Sequence, residues 1–242
     1  MIKLLSWLFL AGKLGKVLTT GGTMLISMVV YSWIFGWRYA VGFVLLIFFH
    51  EMGHFLAARQ RGLDVGAPTF IPFIGAWVAL KEMPHDVETE AYIGFAGPVT
   101  GTLAAIACYW LGRENDSQLM LALAYSGFMI NLINLIPISP LDGGRITAIV
   151  SPKIWLAGVP LLAALFFYNP SPMLILIAIL AYPQLKAALS KDNGASKLPA
   201  GYYDVPTATR LNYGVLYLGL VAFLAIMSYE VHEMLANVSR TL

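Results

Sequence analysis

The chain has 242 residues, of which 59% are hydrophobic and only 12% charged, against roughly 45–50% and about 25% in ordinary soluble domains; this is the composition of an all-α polytopic membrane protein in contact with a lipid bilayer. The net charge of +2 is small and scattered, with no basic cluster among aromatics, which excludes a nucleic-acid partner. The single cysteine, Cys108, lies in an apolar run and reads as a packing residue, so an internal disulfide and a cysteine-based metal cluster are excluded too.

Residues 1–20 open with Lys3 and a short apolar stretch that superficially resembles a secretory signal, but Lys13 and Lys16 follow without a convincing cleavage site. The segment is expected to be an interfacial helix or a lead-in to the first span. A bilayer core takes about 20 mostly apolar residues per helix. Six segments qualify, at 22–37, 39–58, 90–111, 118–138, 154–168 and 172–187, within a membrane-embedded core at 21–188. A polar linker at 189–209, containing Lys191, Asp192, Lys197, Pro199 and Pro206, separates them from a seventh at about 210–230 and a tail to residue 242. The first, fifth and sixth are short, so the bundle is expected to have about six spans, or seven.

With the N-terminus in the cytoplasm, all 15 lysines and arginines except Arg38, Arg113 and Arg240 fall on the inner side, as the positive-inside bias predicts. One apolar stretch, 66–81, is broken by Pro68, Pro72 and Gly75. That spacing predicts a β-hairpin or re-entrant loop, sheltered against the bundle or lining a wet cavity because bare backbone cannot face lipid. A hydrophobic loop seated at the surface is the other reading.

The second span ends in Phe48-Phe49-His50-Glu51-Met52-Gly53-His54-Phe55, a His-Glu-x-x-His motif on a helix. Histidines at i and i+4 project from one face, which lets both imidazoles reach one zinc. Glu51 then sits beside the metal, placed to take a proton from water. An ionisable group inside a membrane helix costs roughly 2.5–3.5 kcal/mol on insertion scales, so three clustered polar side chains need a strong compensating interaction, which metal ligation supplies. The rise per residue puts the pair roughly 7–14 Å from the inner polar boundary near Arg59.

A catalytic zinc commonly takes three protein ligands. Asp142 is the best candidate for the third, in Asn134-Leu-Ile-Pro137-Ile-Ser-Pro140-Leu141-Asp142-Gly143-Gly144-Arg145, where two prolines end a helix and two glycines permit a tight turn. The expected topology returns this segment to the side of His50 and His54. His85, in a hydrophilic loop, and His232, after the last span, are expected to stay outside the site.

Joined, the His50-Glu51-Met52-Gly53-His54 and Asn134…Pro137…Pro140-Leu141-Asp142-Gly143 motifs resemble the site-2 protease family of intramembrane zinc metalloproteases. The resemblance covers about 39–145, including Gly94-Phe-Ala-Gly97-Pro98, whose Gly97 and Gly101 have a Gly-x-x-x-Gly spacing suited to close helix packing. It implies one Zn2+ per chain held by His50, His54 and Asp142, with Glu51 as the catalytic general base. It also implies hydrolysis of peptide bonds in single-span substrates, such as membrane-bound regulators of transcription or remnant signal peptides, in a prokaryotic inner membrane with the site near the cytoplasmic face.

Asn134, or Asn131 one turn before it, could donate an amide N–H to the developing oxyanion, and either could equally bond between helices. The strand-like 66–81 loop could hold an unwound substrate by strand addition. No polar stretch is long enough for the PDZ or CBS domains of many relatives, so selection of substrates is expected from the membrane domain or from partners. The competing readings are a catalytically silent membrane scaffold or receptor, which intact Glu51 opposes, and a zinc transporter, which would carry polar residues along a path through the bilayer. A membrane protease acting on prenylated tails would leave the Leu141-Asp142-Gly143 match unexplained.

Overall fold

A computed structural model describes residues 2–73, 75–168, 170–189 and 198–241, with side chains for all of these except 2–17, 77 and 238–241. Residues 190–197 of the expected linker therefore lie outside the described residues. The elements in chain order are α1 (Ile2–Phe35), α2 (Trp37–Gln60), β1 (Thr69–Ile71), β2 (Gly75–Trp77), α3 (Val87–Glu114), α4 (Gln118–Asn134), the short α5 (Asp142–Thr147), a 3-10 turn (Pro152–Ile154), α6 (Trp155–Tyr168), α7 (Pro172–Leu189) and α8 (Thr207–Thr241).

Among the described residues, five helices are long and apolar enough to cross a membrane, namely α1, α2, α3, α7 and α8, while α4 and α6 are apolar but shorter. The protein is an all-α polytopic membrane protein, with one two-stranded sheet among the described residues. α1 runs unbroken from Ile2 to Phe35, across the boundary expected near residue 20, because nothing in that stretch stops a helix. Gly36 does, at φ 80°, a conformation that favours glycine. There the chain folds back, and Tyr31 and Phe43 meet edge-on at 5.2 Å.

α2, α3 and α4 form the centre, with α8 packed on α4. Membrane helices associate by close packing rather than by escape from water, and the contacts show it. Gly42 takes the tip of Leu123, and Gly127 lies under Ala105. Phe128, Ala105 and Leu224 are fully buried in the cluster around them. Leu25, Trp33, Trp110, Val215 and Ile226 are exposed on the outside, a belt that suits lipid and would be a liability in water. Asp86 caps α3 by accepting from the Thr89 N–H at 2.7 Å, and Glu88 and Glu90 in the first turn favour the positive end of the helix dipole.

The 66–81 stretch is a β-hairpin. β1 and β2 are antiparallel, with Phe70 opposite Ala76, and a further bridge joins Val65 to Leu80. α1 holds the β1 side. The Thr20 hydroxyl donates to the Pro68 carbonyl at 2.7 Å, the Thr23 hydroxyl accepts from the Phe70 N–H at 3.2 Å, and the Tyr31 hydroxyl accepts from the Phe73 N–H at 2.9 Å. β1 is thus sealed by hydroxyls of the first helix, and among the described residues no further strand pairs with β2.

Before α8 the chain crosses the ends of α3 and α5. Tyr202 is buried against Val87, Ala91, Ala148 and Ile149; its carbonyl accepts from the Val87 N–H at 3.0 Å, and its hydroxyl donates to Glu90. Burial, and the Glu90 carboxylate beside it, push the Tyr202 phenol well above its usual range, so it keeps its proton. Arg210 then gathers carbonyls from both sides, donating to Ile149 at 2.8 Å and Val150 at 3.2 Å just beyond α5, and to Val205 and Tyr203 in the strap.

Arg210→Ala strips one guanidinium from four carbonyls; a single hydrogen bond to a charged group contributes roughly 1.5–3 kcal/mol, and less where, as here, the site is partly exposed. The expected outcome is a lower midpoint of thermal unfolding in detergent, with Arg210→Lys intermediate. An unchanged midpoint would show that Arg210 does not clasp these segments together.

Candidate metal centre

α2 places His50 and His54 one turn apart on its buried face, their rings edge-to-face with centroids 4.8 Å apart. Asp142 comes from the first residue of α5, after α4 ends at Asn134 and the chain turns back through Pro137 and Pro140. His50, Glu51, His54 and Asp142 are all buried. The Asp142 Oδ2 atom lies 3.0 Å from His50 Nε2 and 3.2 Å from His54 Nε2, and the two Nε2 atoms are 3.1 Å apart.

The other nitrogens of the two rings decide what those atoms are. His54 Nδ1 is 2.7 Å from the Ile93 carbonyl, which can only accept, so Nδ1 carries the proton. His50 Nδ1 is 2.8 Å from Asn131 Oδ1. The Asn131 amide is oriented by its own Nδ2, which donates to the Gly127 carbonyl at 2.7 Å, so Oδ1 accepts and His50 Nδ1 donates. In a neutral imidazole the opposite nitrogen then presents its lone pair. Two Nε2 lone pairs and a carboxylate oxygen thus converge in a buried space with no proton of their own to share. Such a set calls for a cation, and two imidazoles with one carboxylate, each ring fixed by an outer partner, fit one Zn2+.

Glycines make the room. A Cβ at Gly97 of α3 would strike the His54 ring at Nε2 and Cε1. At Gly101, one turn on, it would come within 2.5 Å of Asn131 Oδ1. The Gly-x-x-x-Gly spacing does bring helices close, and what it brings close are His54 and Asn131 of the candidate metal site. Gly143 and Gly144 are helical rather than left-handed. They are needed because Cβ atoms there would meet the backbone of Leu135 and of Ile138–Ser139, so that α5 can lie against the turn after α4.

A cavity of about 500 Å³ opens on these atoms. His50, Glu51, His54, Asn134, Asp142 and Arg145 form its polar end, Ala76, Val78 and Leu80 along the β2 side form one wall, and Met173, Leu176, Ile177 and Leu180 of α7 form another. Arg145 Nη1 stands 3.9 Å from the second Asp142 oxygen. Of the two candidate asparagines, Asn134 faces the cavity, whereas Asn131 has both amide atoms engaged in holding His50. His85 and His232 are exposed and line none of it. The motifs pointed to His50, Glu51, His54 and Asp142. They did not point to Asn131 as the partner of His50, to the Ile93 carbonyl or to the space at Gly97, whose only trace in the sequence is the glycine spacing.

Removing an outer partner of a metal-ligating histidine typically lowers metal affinity 10–100-fold. Asn131→Ala frees His50 Nδ1 and is expected to weaken zinc binding by about that factor, read by competition with a chromogenic chelator on the intact chain. Wild-type affinity in the variant would show that Asn131 does not set the ring.

The model of peptidase family M50 matches residues 38–115, the segment that carries His50, Glu51, His54 and Gly97 and stops short of Asp142. Zinc metalloprotease MJ0392 of Methanocaldococcus jannaschii is 33% identical over 124 residues, covering 48% of this chain and 36% of that protein. The Rip3 protein of Mycobacterium tuberculosis is 33% identical over 150 residues, covering 58% of this chain and 37% of that one. The match thus spans little more than a third of the length of these curated relatives. Among solved structures, a site-2 protease from Methanocaldococcus jannaschii aligns with a TM-score of 0.47 at 25% identity, covering 67% of this chain and 86% of that one. With the His-Glu-x-x-His motif inside the matched segment, residues 38–115 are similar to peptidase family M50 and the chain is similar to zinc metalloproteases over about half of its length.

Proposed function

We propose that the chain is a zinc endopeptidase that hydrolyses peptide bonds of transmembrane or membrane-associated proteins. The observation that carries this reading is the burial of Glu51 beside three converging ligand atoms at the end of a cavity large enough for a peptide. When bound, zinc supplies a Lewis acid for the scissile carbonyl and for water. His50, His54 and Asp142 hold it, the first two pinned by Asn131 and Ile93. Glu51, which lines the cavity, accepts the proton of the attacking water and delivers it to the leaving amine. Asn134, at the same end of the cavity, is placed to donate its amide N–H to the oxygen that gains charge.

A helical substrate hides its carbonyls in hydrogen bonds, so it reaches the site only where it has unwound. Sealing of β1 by α1 leaves the backbone of β2 to meet an extended segment, and side chains along β2 already form a wall of the cavity. Strand addition there would lay a substrate past the metal centre. The distribution of lysines and arginines supports a cytoplasmic N-terminus in a cell membrane and a site near the cytoplasmic face. Single-span regulators of transcription and remnant signal peptides are the substrates that the family resemblance suggests.

Glu51→Gln is expected to keep one zinc per chain and to lower cleavage of a single-span substrate by about 10²–10⁴-fold, while chelation abolishes cleavage by the wild type and added zinc restores it. Equal turnover by wild type and variant would defeat the assignment. Proline substitutions at Val78 or Leu80, on the β2 side of the hairpin, are expected to cut turnover and spare zinc content. Turnover that survives them would count against strand addition.

A further inference from the structure

The cavity does not end at the metal centre. A second lobe of about 250 Å³ shares His50, Glu51 and Asn134 with the first and runs from them toward α1 and the tip of the hairpin. Away from that polar end its walls are Tyr31, Phe43, Ile47, Phe73, Ile130 and Ile133. The Tyr31 hydroxyl is occupied by the Phe73 N–H at 2.9 Å, and its ring meets Phe43 and Phe73 edge-on at 5.2 and 5.4 Å. Phe73 itself sits at φ 65°, a left-handed conformation that a bulky residue adopts only when its surroundings hold it there. The Tyr31 bond and the ring contact accompany that conformation, and they station an exposed ring near the hairpin tip at the lobe.

We propose that this lobe is the specificity pocket of the enzyme and takes a large apolar side chain, leucine or an aromatic, from a residue flanking the scissile bond. The inference rests on the peptidase reading above. Its geometry follows from continuity: Glu51 and His50 are at once the reacting end of the main cavity and the floor of the lobe, so a peptide bond at the metal centre has a neighbouring side chain within reach of it. The chemistry follows from the walls. Beyond the polar end no charged side chain lines the lobe, so an acidic or basic residue entering it would lose its hydration without a partner. A small residue would leave the aromatic walls unfilled. Cleavage would therefore favour positions where a bulky apolar residue stands next to an unwound bond.

The experiment uses the intact, zinc-loaded chain reconstituted in lipid with a single-span substrate whose cut site is located by mass spectrometry. The two residues flanking that site are replaced in turn by Ala, Leu, Phe, Trp and Asp. At one of the two positions, kcat/KM is expected to fall at least about 10-fold from Leu or Phe to Ala, and further for Asp. Ile133→Phe, which fills the lobe from α4, is expected to lose about 10-fold more kcat/KM on the bulky substrate than on the Ala substrate. Phe43→Ala widens the lobe from α2 and is expected to shift the preference from Leu toward Trp, which keeps the test open should Ile133→Phe fail to fold. Equal kcat/KM for Ala, Leu and Phe at both positions, with cleavage intact, overturns the pocket and leaves the peptidase standing, as does a uniform loss on every substrate in both variants. No cleavage of any substrate by zinc-loaded wild type overturns the peptidase reading and the pocket with it.

Discussion

The fold is organised around one electrostatic problem, the meeting of two imidazole nitrogens and a carboxylate oxygen at 3.0–3.2 Å inside an apolar bundle. Lone pairs do not gather in a low-dielectric interior unless something positive stands among them. Each element around the site answers that demand. α2 supplies two donors in register, α5 brings the third across from α4, and α3 and α4 contribute a carbonyl and an amide that face the rings so that the right nitrogens are bare. The zinc is expected to contribute to stability as well as chemistry, because a cation binding the folded chain alone favours that state.

The periphery serves the same centre. The strap before α8 ties the start of α3, which carries the Ile93 carbonyl, to the carbonyls beyond α5, which carries Asp142, through Tyr202 and Arg210. On the other side α1 holds the hairpin by three hydroxyl bonds, which fixes the far wall of the cavity. The long helices at the edge therefore position the hairpin and α5, although α1 and α8 give no ligand.

What the sequence discloses depends on how local the physics is. His50, Glu51 and His54 are legible because helical periodicity alone puts them together, and Asp142 because prolines and glycines mark the chain reversal that delivers it. The 66–81 stretch announces itself by Pro68, Pro72 and Gly75, but the choice between hairpin and re-entrant loop needed the hydroxyls of α1, some 40 or more residues away in sequence. Asn131 was visible as a polar residue in an apolar span, with its role open, since its partner lies 81 residues back. Gly143 and Gly144 were legible as glycines for the wrong reason. They take ordinary helical angles, and it is the backbone of the preceding turn that leaves no space for a side chain.

Gly97 carries a wider consequence. The His54 ring is located as much by an empty volume on the neighbouring helix as by its bond to Ile93. Emptiness leaves no signature in a motif, and one methyl group in that space would evict a ligand that a sequence comparison still counts as present. A variant of this chain could therefore keep every letter of both motifs and lose the space that the His54 ring needs. The room for the His54 ring is thus set on the third helix, by a residue that performs no chemistry.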